Sequence, residues 1–123
     1  MAKSVHTDVL DAALAVVGAS TSMVACTGEP ANFAAANGAL KLAAATMVAG
    51  DFTLADGDTS GRKLTVAAKS GVNVVADGTA THVALLDVAG SRLLYVTTCA
   101  AQPLASGGTV SFAAWDIEIA DPA

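Results

Sequence analysis

A chain of 123 residues has room for one domain and one hydrophobic core. Its hydrophobic share is 54% and its mean hydropathy +0.58, yet only 4% of the residues are aromatic, so alanine, valine, glycine and threonine carry the apolar character and the core they build is thin. The net charge of -5, with Lys3, Lys41, Arg62, Lys63, Lys69 and Arg92 scattered along the chain, counts against a nucleic-acid or anionic-membrane partner, since both need clustered cations to neutralise phosphate.

The first element is predicted as a helix over about residues 7–17. Thr7 offers a capping hydroxyl, Asp8 and Asp11 sit where the helix dipole favours negative charge, and Val9, Leu10, Ala13, Leu14 and Val17 share a face that Gly18 closes off. Asp8 and Asp11 also break the resemblance of this region to a secretion signal, so synthesis and retention in the cytoplasm are expected. Gly, Ser, Thr, Asp and Lys interrupt every apolar run short of a membrane span. "MVAC" reads as a short strand, and "TGEPANFAAANGALKL" as a loop or broken helix punctuated by Pro30, Asn37 and Gly38.

From about residue 41 to 119 the signals are β. "KLAAATM", "DFTLA", "RKLTVAA" and "VNVVA" are short runs separated by "AGD", "DGDTSG" and "KSG". "THVALLDVAGSRLLYVTTC" reads as a hairpin whose turn is placed by Gly90, and "PLASGG" leads into "TVSFAAWDIEIADP". In that last strand Trp115, Ile117 and Ile119 alternate with Asp116 and Glu118. The expected fold is mainly β, a β-sandwich or jelly-roll-like single domain over residues 1–123 with one short N-terminal α-helix. So thin a core leaves part of the stability to contacts between chains.

Few residues carry chemistry. Asp116 and Glu118 lie on one strand face about 7 Å apart, a spacing open to a glycosidase pair. Such a site needs one desolvated carboxyl and aromatic sugar platforms, and this chain has one Trp, one Tyr and three Phe. The expected role of the two carboxylates is a wet strand face, with Trp115 as a core anchor. The same scarcity counts against a carbohydrate-binding module. "DGDTSG" matches the opening of a calcium loop at Asp56, Asp58, Ser60 and Gly61, with Asp51 near enough to add a ligand. The match fails at the twelfth position, Ala67, and Arg62 and Lys63 oppose a cation. That adjacent basic pair reads as a solvated strand start.

His82 shares a strand face with Ala84 and Leu86 and reads as a satisfied, half-buried side chain, while His6 precedes the helix. The chain has no G-x-S-x-G elbow, and Gly107 and Gly108 precede a strand, the wrong context for a phosphate loop. Cys26 and Cys99 read as two buried thiols, with a disulfide between neighbouring strands open in an oxidising medium. No catalytic, cofactor or metal residue is assigned, and no enzymatic activity is expected.

The order "LDAAL…VACTGEPANFAAA…DGDTSGRKLTVAAKSG…GTATHVALLD…RLLYVTTCAAQPLASGGTVSFAAWDIEIADP" resembles a group of small structural proteins of tailed bacteriophages and prophages. The likeness spans nearly the whole chain and is strongest from Asp56 to Pro122. It implies a virion component on the capsid surface. The form expected is a decoration (cement) protein seated on the assembled head, with the major capsid protein and copies of itself, as a trimer, for partners. The alternative is a tail, collar or fibre-associated protein that binds a tail component or a host receptor.

Overall fold

The computed structural model describes residues 4–121. Its α-helices are α1 (Thr7–Val17) and the single-turn α2 (Phe33–Ala36), and a 3-10 turn spans Ala49–Asp51. Its strands are β1 (Ser22–Cys26), β2 (Lys41–Thr46), β3 (Phe52–Asp56), β4 (Arg62–Val66), β5 (Lys69–Asn73), β6 (Gly78–Asp87), β7 (Arg92–Leu104), β8 (Thr109–Phe112) and β9 (Trp115–Ile119). All pairings are antiparallel, in a four-stranded sheet β2-β1-β6-β7, a three-stranded sheet β3-β4-β9 and a two-stranded sheet β5-β8. The domain is mainly β, with its longer helix at the N-terminal end.

All three sheets and α1 contribute to one core: Met23 and Ala25 from β1, Leu85 from β6, Leu64 and Val66 from β4, Ile117 from β9, Phe112 from β8 and Leu14 from α1. Alternation along β1 and β6 turns the intervening residues, Val24, Cys26, Ala84 and Leu86, to the opposite side of the four-stranded sheet. There Ala36 of α2 joins them, with Phe33, Leu40, Leu93 and Val96 packed around. Both faces of β1 are therefore covered, and all five of its residues are buried. A continuous apolar run such as "MVAC" is the sequence form of a strand covered on two sides. The broken helix settles as α2, with Asn32 Oδ1 accepting from Ala35 N at 2.8 Å.

Several local expectations are corrected. Residue 6, not Thr7, caps α1: His6 Nδ1 accepts from Asp8 N at 3.1 Å. Leu10 and Leu14 are the buried residues of the helix, Val17 packs against the core, and Val9 is 60% exposed while Ala13 is also exposed, so the apolar face is narrower than the spacing implied. Strand β5 begins at Lys69, so "KSG" lies inside it rather than before it. Pairing with β8 decides this, matching Lys69 with Phe112 and Val72 with Val110 across a register shift.

At the β6–β7 turn the left-handed residue is Ser91, φ 53°, and not Gly90. Gly90 lies close to Asp87: its N–H donates to Asp87 Oδ1 at 3.2 Å, and a Cβ there would lie 2.6 Å from Asp87 Oδ2, so that carboxylate would have to shift. Arg92 completes the turn by pairing with Asp87 at 2.9 Å. Cys26 is buried, but Cys99 is exposed. They lie on β1 and β7 with β6 between, about 9.6 Å apart at the usual strand spacing, beyond the Cα separation a disulfide spans. The neighbouring-strand disulfide therefore does not apply.

Candidate functional site

Two places gather the residues of interest: a charged corner and an apolar groove. The corner forms where β4 lies between β3 and β9, in a register that matches Lys63 with Glu118 and Thr65 with Asp116. Arg62 and Lys63 are not a solvated pair, since their side chains are only 19% and 21% exposed. Arg62 joins Asp11 of α1 at 2.8 Å to Asp56 at the end of β3 at 2.7 Å. Lys63 joins Asp58 of the connecting loop at 2.8 Å to Asp116 of β9 at 3.6 Å. The hydrogen bonds that Arg62 donates to Asp11 and then to Asp56 raise its pKa, and the bond Lys63 donates to Asp58 leads the causes that raise that of Lys63.

The two carboxylates of β9 sit in this network. Asp116 and Glu118 are exposed, and Trp115, Ile117 and Ile119 turn toward the core. Asp116 Oδ1 accepts from Thr65 Oγ1 at 2.9 Å, and the Glu118 carboxylate accepts from Asp58 N. Each carboxylate thus serves a neighbouring donor on the exposed face of β9.

The calcium-loop residues are engaged in the same way. Arg62 and Lys63 hold Asp56 and Asp58, while Ser60 Oγ accepts from Asp121 N at 3.1 Å. Asp51 accepts from Val48 N at 2.9 Å and pairs with Lys69 at 2.9 Å; the backbone bond first, and then Lys69, hold its pKa below the ordinary carboxylate value. Among the described residues, no group of three or more His, Cys, Asp and Glu is placed to hold a metal ion. His82 is half-buried with its Nδ1 2.9 Å from Thr81 Oγ1, and burial pushes the Cys26 thiol up to about 11.

The groove lies between the edges of the two larger sheets and has a volume of about 490 Å³. Ala25, Ala80 and Val83 line it from the four-stranded sheet, Thr97, Cys99 and Ala100 from β7, and Val110, Phe112 and Trp115 from β8 and β9. Tyr95 of β7 and Trp115 of β9 meet beside it with ring centroids 5.9 Å apart, so the tryptophan closes the domain between its sheets. Asp116 is the one charged residue among those lining it.

This groove was not anticipated from local patterning, although a signal for it exists. From Leu93 to Trp115 the sequence contains no Asp, Glu, Lys, Arg or His. Comparison of the chain with protein-family models, curated proteins and solved structures finds no match.

Proposed function

We propose that this chain is a bacteriophage structural protein, a decoration (cement) protein that binds the outside of the assembled head, with the major capsid protein and copies of itself as partners. The observation that carries the reading is a division of the surface. The acidic groups of the corner are engaged in structural ion pairs and hydrogen bonds, while the strand edge from Thr98 to Pro103 is exposed and the groove beside it has Asp116 as its one charged lining residue. That division suits a protein that works by being covered rather than by turning over a substrate. Its place would be the virion surface, after synthesis in the host cytoplasm.

The mechanism is mass action. A subunit that binds only the expanded lattice stabilises it by RT ln(1 + [L]/Kd), about 2.7 kcal/mol per site at a hundredfold excess over Kd. Many sites acting on one shell convert that modest term into resistance to internal pressure.

Purified expanded heads and tails, incubated with the labelled chain and separated by sedimentation, test the assignment. Stoichiometric, saturable binding to heads and a raised head-disruption temperature are expected. Binding to tails alone would instead select the tail, collar or fibre-associated reading. An Asp116→Ala/Glu118→Ala variant is expected to bind heads like the parent; loss of a glycan-hydrolysing activity in that variant, with binding unchanged, would establish an enzyme.

A further inference from the structure

Three glycines of this chain follow an asparagine or aspartate directly, in the pairs Asn37-Gly38, Asp56-Gly57 and Asp77-Gly78. With no Cβ in the way, a glycine nitrogen can approach the side-chain carbonyl carbon of the residue before it, the attack that closes a succinimide ring. The fold ties up two of the three pairs. Asp56 accepts from Arg62 at 2.7 Å while the Gly57 N–H donates to Gly61 O at 2.9 Å, and Asp77 accepts from Ser106 N at 2.7 Å. An ionised carboxylate is also a far poorer electrophile than a carboxamide.

Asn37 is held differently. It caps the C-terminal end of α2, half-buried, and Gly38 behind it is exposed. Among the described residues no hydrogen bond engages its carboxamide, and no buried side-chain nitrogen or oxygen lacks a partner, so that carboxamide meets water. The Gly38 N–H donates to Ala35 O at 3.4 Å, longer than any other turn or cap bond of the described chain. The fold also favours glycine at this position, since a Cβ there would lie 2.8 Å from the backbone oxygen of Ala34. The other two asparagines are protected. Asn32 Oδ1 accepts from Ala35 N at 2.8 Å and precedes Phe33, and Asn73 precedes the β-branched Val74, whose N–H donates to Gly108 O at 2.9 Å.

We infer that Asn37 is a self-modification site, at which the folded chain deamidates without an enzyme as it ages. The Gly38 nitrogen attacks Asn37 Cγ: the new N–Cγ bond forms, the Cγ–Nδ2 bond breaks, and Nδ2 takes the Gly38 amide proton and leaves as ammonia. Water then opens the ring at either carbonyl and leaves aspartate or isoaspartate at position 37, with no oxidant or reductant required. Both products add a negative charge, and isoaspartate also adds a methylene to the main chain.

The consequence falls on the cluster beneath α2. Asn37 N–H to Phe33 O at 2.9 Å, Leu40 N–H to Ala35 O at 3.0 Å and Lys41 N–H to Gly38 O at 3.1 Å shape this turn, which holds Ala36 and Leu40 against Val24, Cys26, Ala84 and Leu86. A single helical turn has little cooperative strength of its own, so a longer main chain inside it loosens the cover over Cys26.

Ageing of the purified full chain in mildly alkaline buffer, with digestion in mild acid and peptide mass spectrometry, tests the inference. In the native chain Asn37 should convert at least about tenfold faster than Asn32 or Asn73, with release of ammonia and uptake of oxygen from isotopically labelled water. Asn37→Gln should stop the conversion, because its longer side chain must close a larger ring. Iodoacetamide should reach Cys26 faster in the aged parent than in the fresh parent or in aged Asn37→Gln, whereas Asn37→Asp, with the charge but not the added methylene, should keep Cys26 protected. An amide at position 37 that survives in the native chain long after the urea-unfolded chain has lost it overturns the inference, as does conversion of all three native asparagines at one rate. Equal labelling of Cys26 in aged and fresh parent would overturn the loosening of α2.

Discussion

Arg62 on β4 reaches Asp11 on α1 at 2.8 Å across a separation of 51 residues, and in doing so fixes the helix against the three-stranded sheet. Asp11 looked like a helix-dipole residue. In the fold it is a tertiary contact, and the same guanidinium holds Asp56 at the head of the "DGDTSG" loop.

A double-mutant cycle between Arg62 and Asp11 tests this. Each alanine variant should lower Tm, the pair should cost less than the two singles added, and the coupling should shrink as salt rises to about 1 M, where the Debye length falls to about 3 Å. Lysine at position 62 should recover only part of the loss, since an ammonium cannot place separate N–H donors on two carboxylates.

Trp115 of the three-stranded sheet and Tyr95 of the four-stranded sheet pack with their rings tilted at 32° and 5.9 Å between centroids. Trp115→Ala is expected to cost about 2–3 kcal/mol in urea unfolding followed by circular dichroism, toward the lower end for a large core truncation because the ring is only partly buried. Trp115→Phe should cost under about 1.5 kcal/mol. Leu64, 1% exposed at the centre of the main core, should cost about 3 kcal/mol when cut to alanine.

Gly61 stands at φ +69°, and a Cβ there would run into the carbonyl oxygen of Ile119. Gly61→Ala therefore meets both backbone strain and a clash with β9. It should destabilise the fold by more than about 1 kcal/mol, against the stabilisation of a few tenths to 1 kcal/mol that glycine-to-alanine changes bring where the backbone is compatible. Hydrogen exchange is expected to report the loss first in Arg62–Val66 and Trp115–Ile119.

The pH dependence has a definite sign. Asp51 and Asp87 have folded-state pKa values held below 3.8, the first chiefly by the Val48 N–H and the second chiefly by Arg92. Their contribution is present above the unfolded value and is lost as pH falls through the lower folded values. Lys63, raised above 10.5, contributes fully below that pH and loses its contribution only as pH rises through the higher folded value. Stability from these groups should be level from about pH 5 to 9 and decline on the acid side below about pH 4; Asp51→Asn should make the acid decline shallower.

The two thiols should separate cleanly. Cys26 is fully buried with its pKa pushed up to about 11, whereas Cys99 is exposed. Iodoacetamide at pH 8 is expected to label Cys99 in the native protein and to reach Cys26 only after unfolding, as read by peptide mass spectrometry.

Local spacing determined much of this molecule. The period of apolar residues placed α1, the alternation of Trp115, Ile117 and Ile119 with Asp116 and Glu118 fixed which way β9 faces, and the apolar run of β1 marked a short strand. These are short-range properties, set by the helical and strand periods of the backbone itself. Tertiary structure alone decided the partners: that Arg62 would meet Asp11, that Lys63 would bridge Asp58 and Asp116, that β5 would start at Lys69, and that Cys99 would be exposed on a strand two places from Cys26. Each depends on which distant segments lie side by side, and a side chain's period along its own strand carries no information about the strand beside it.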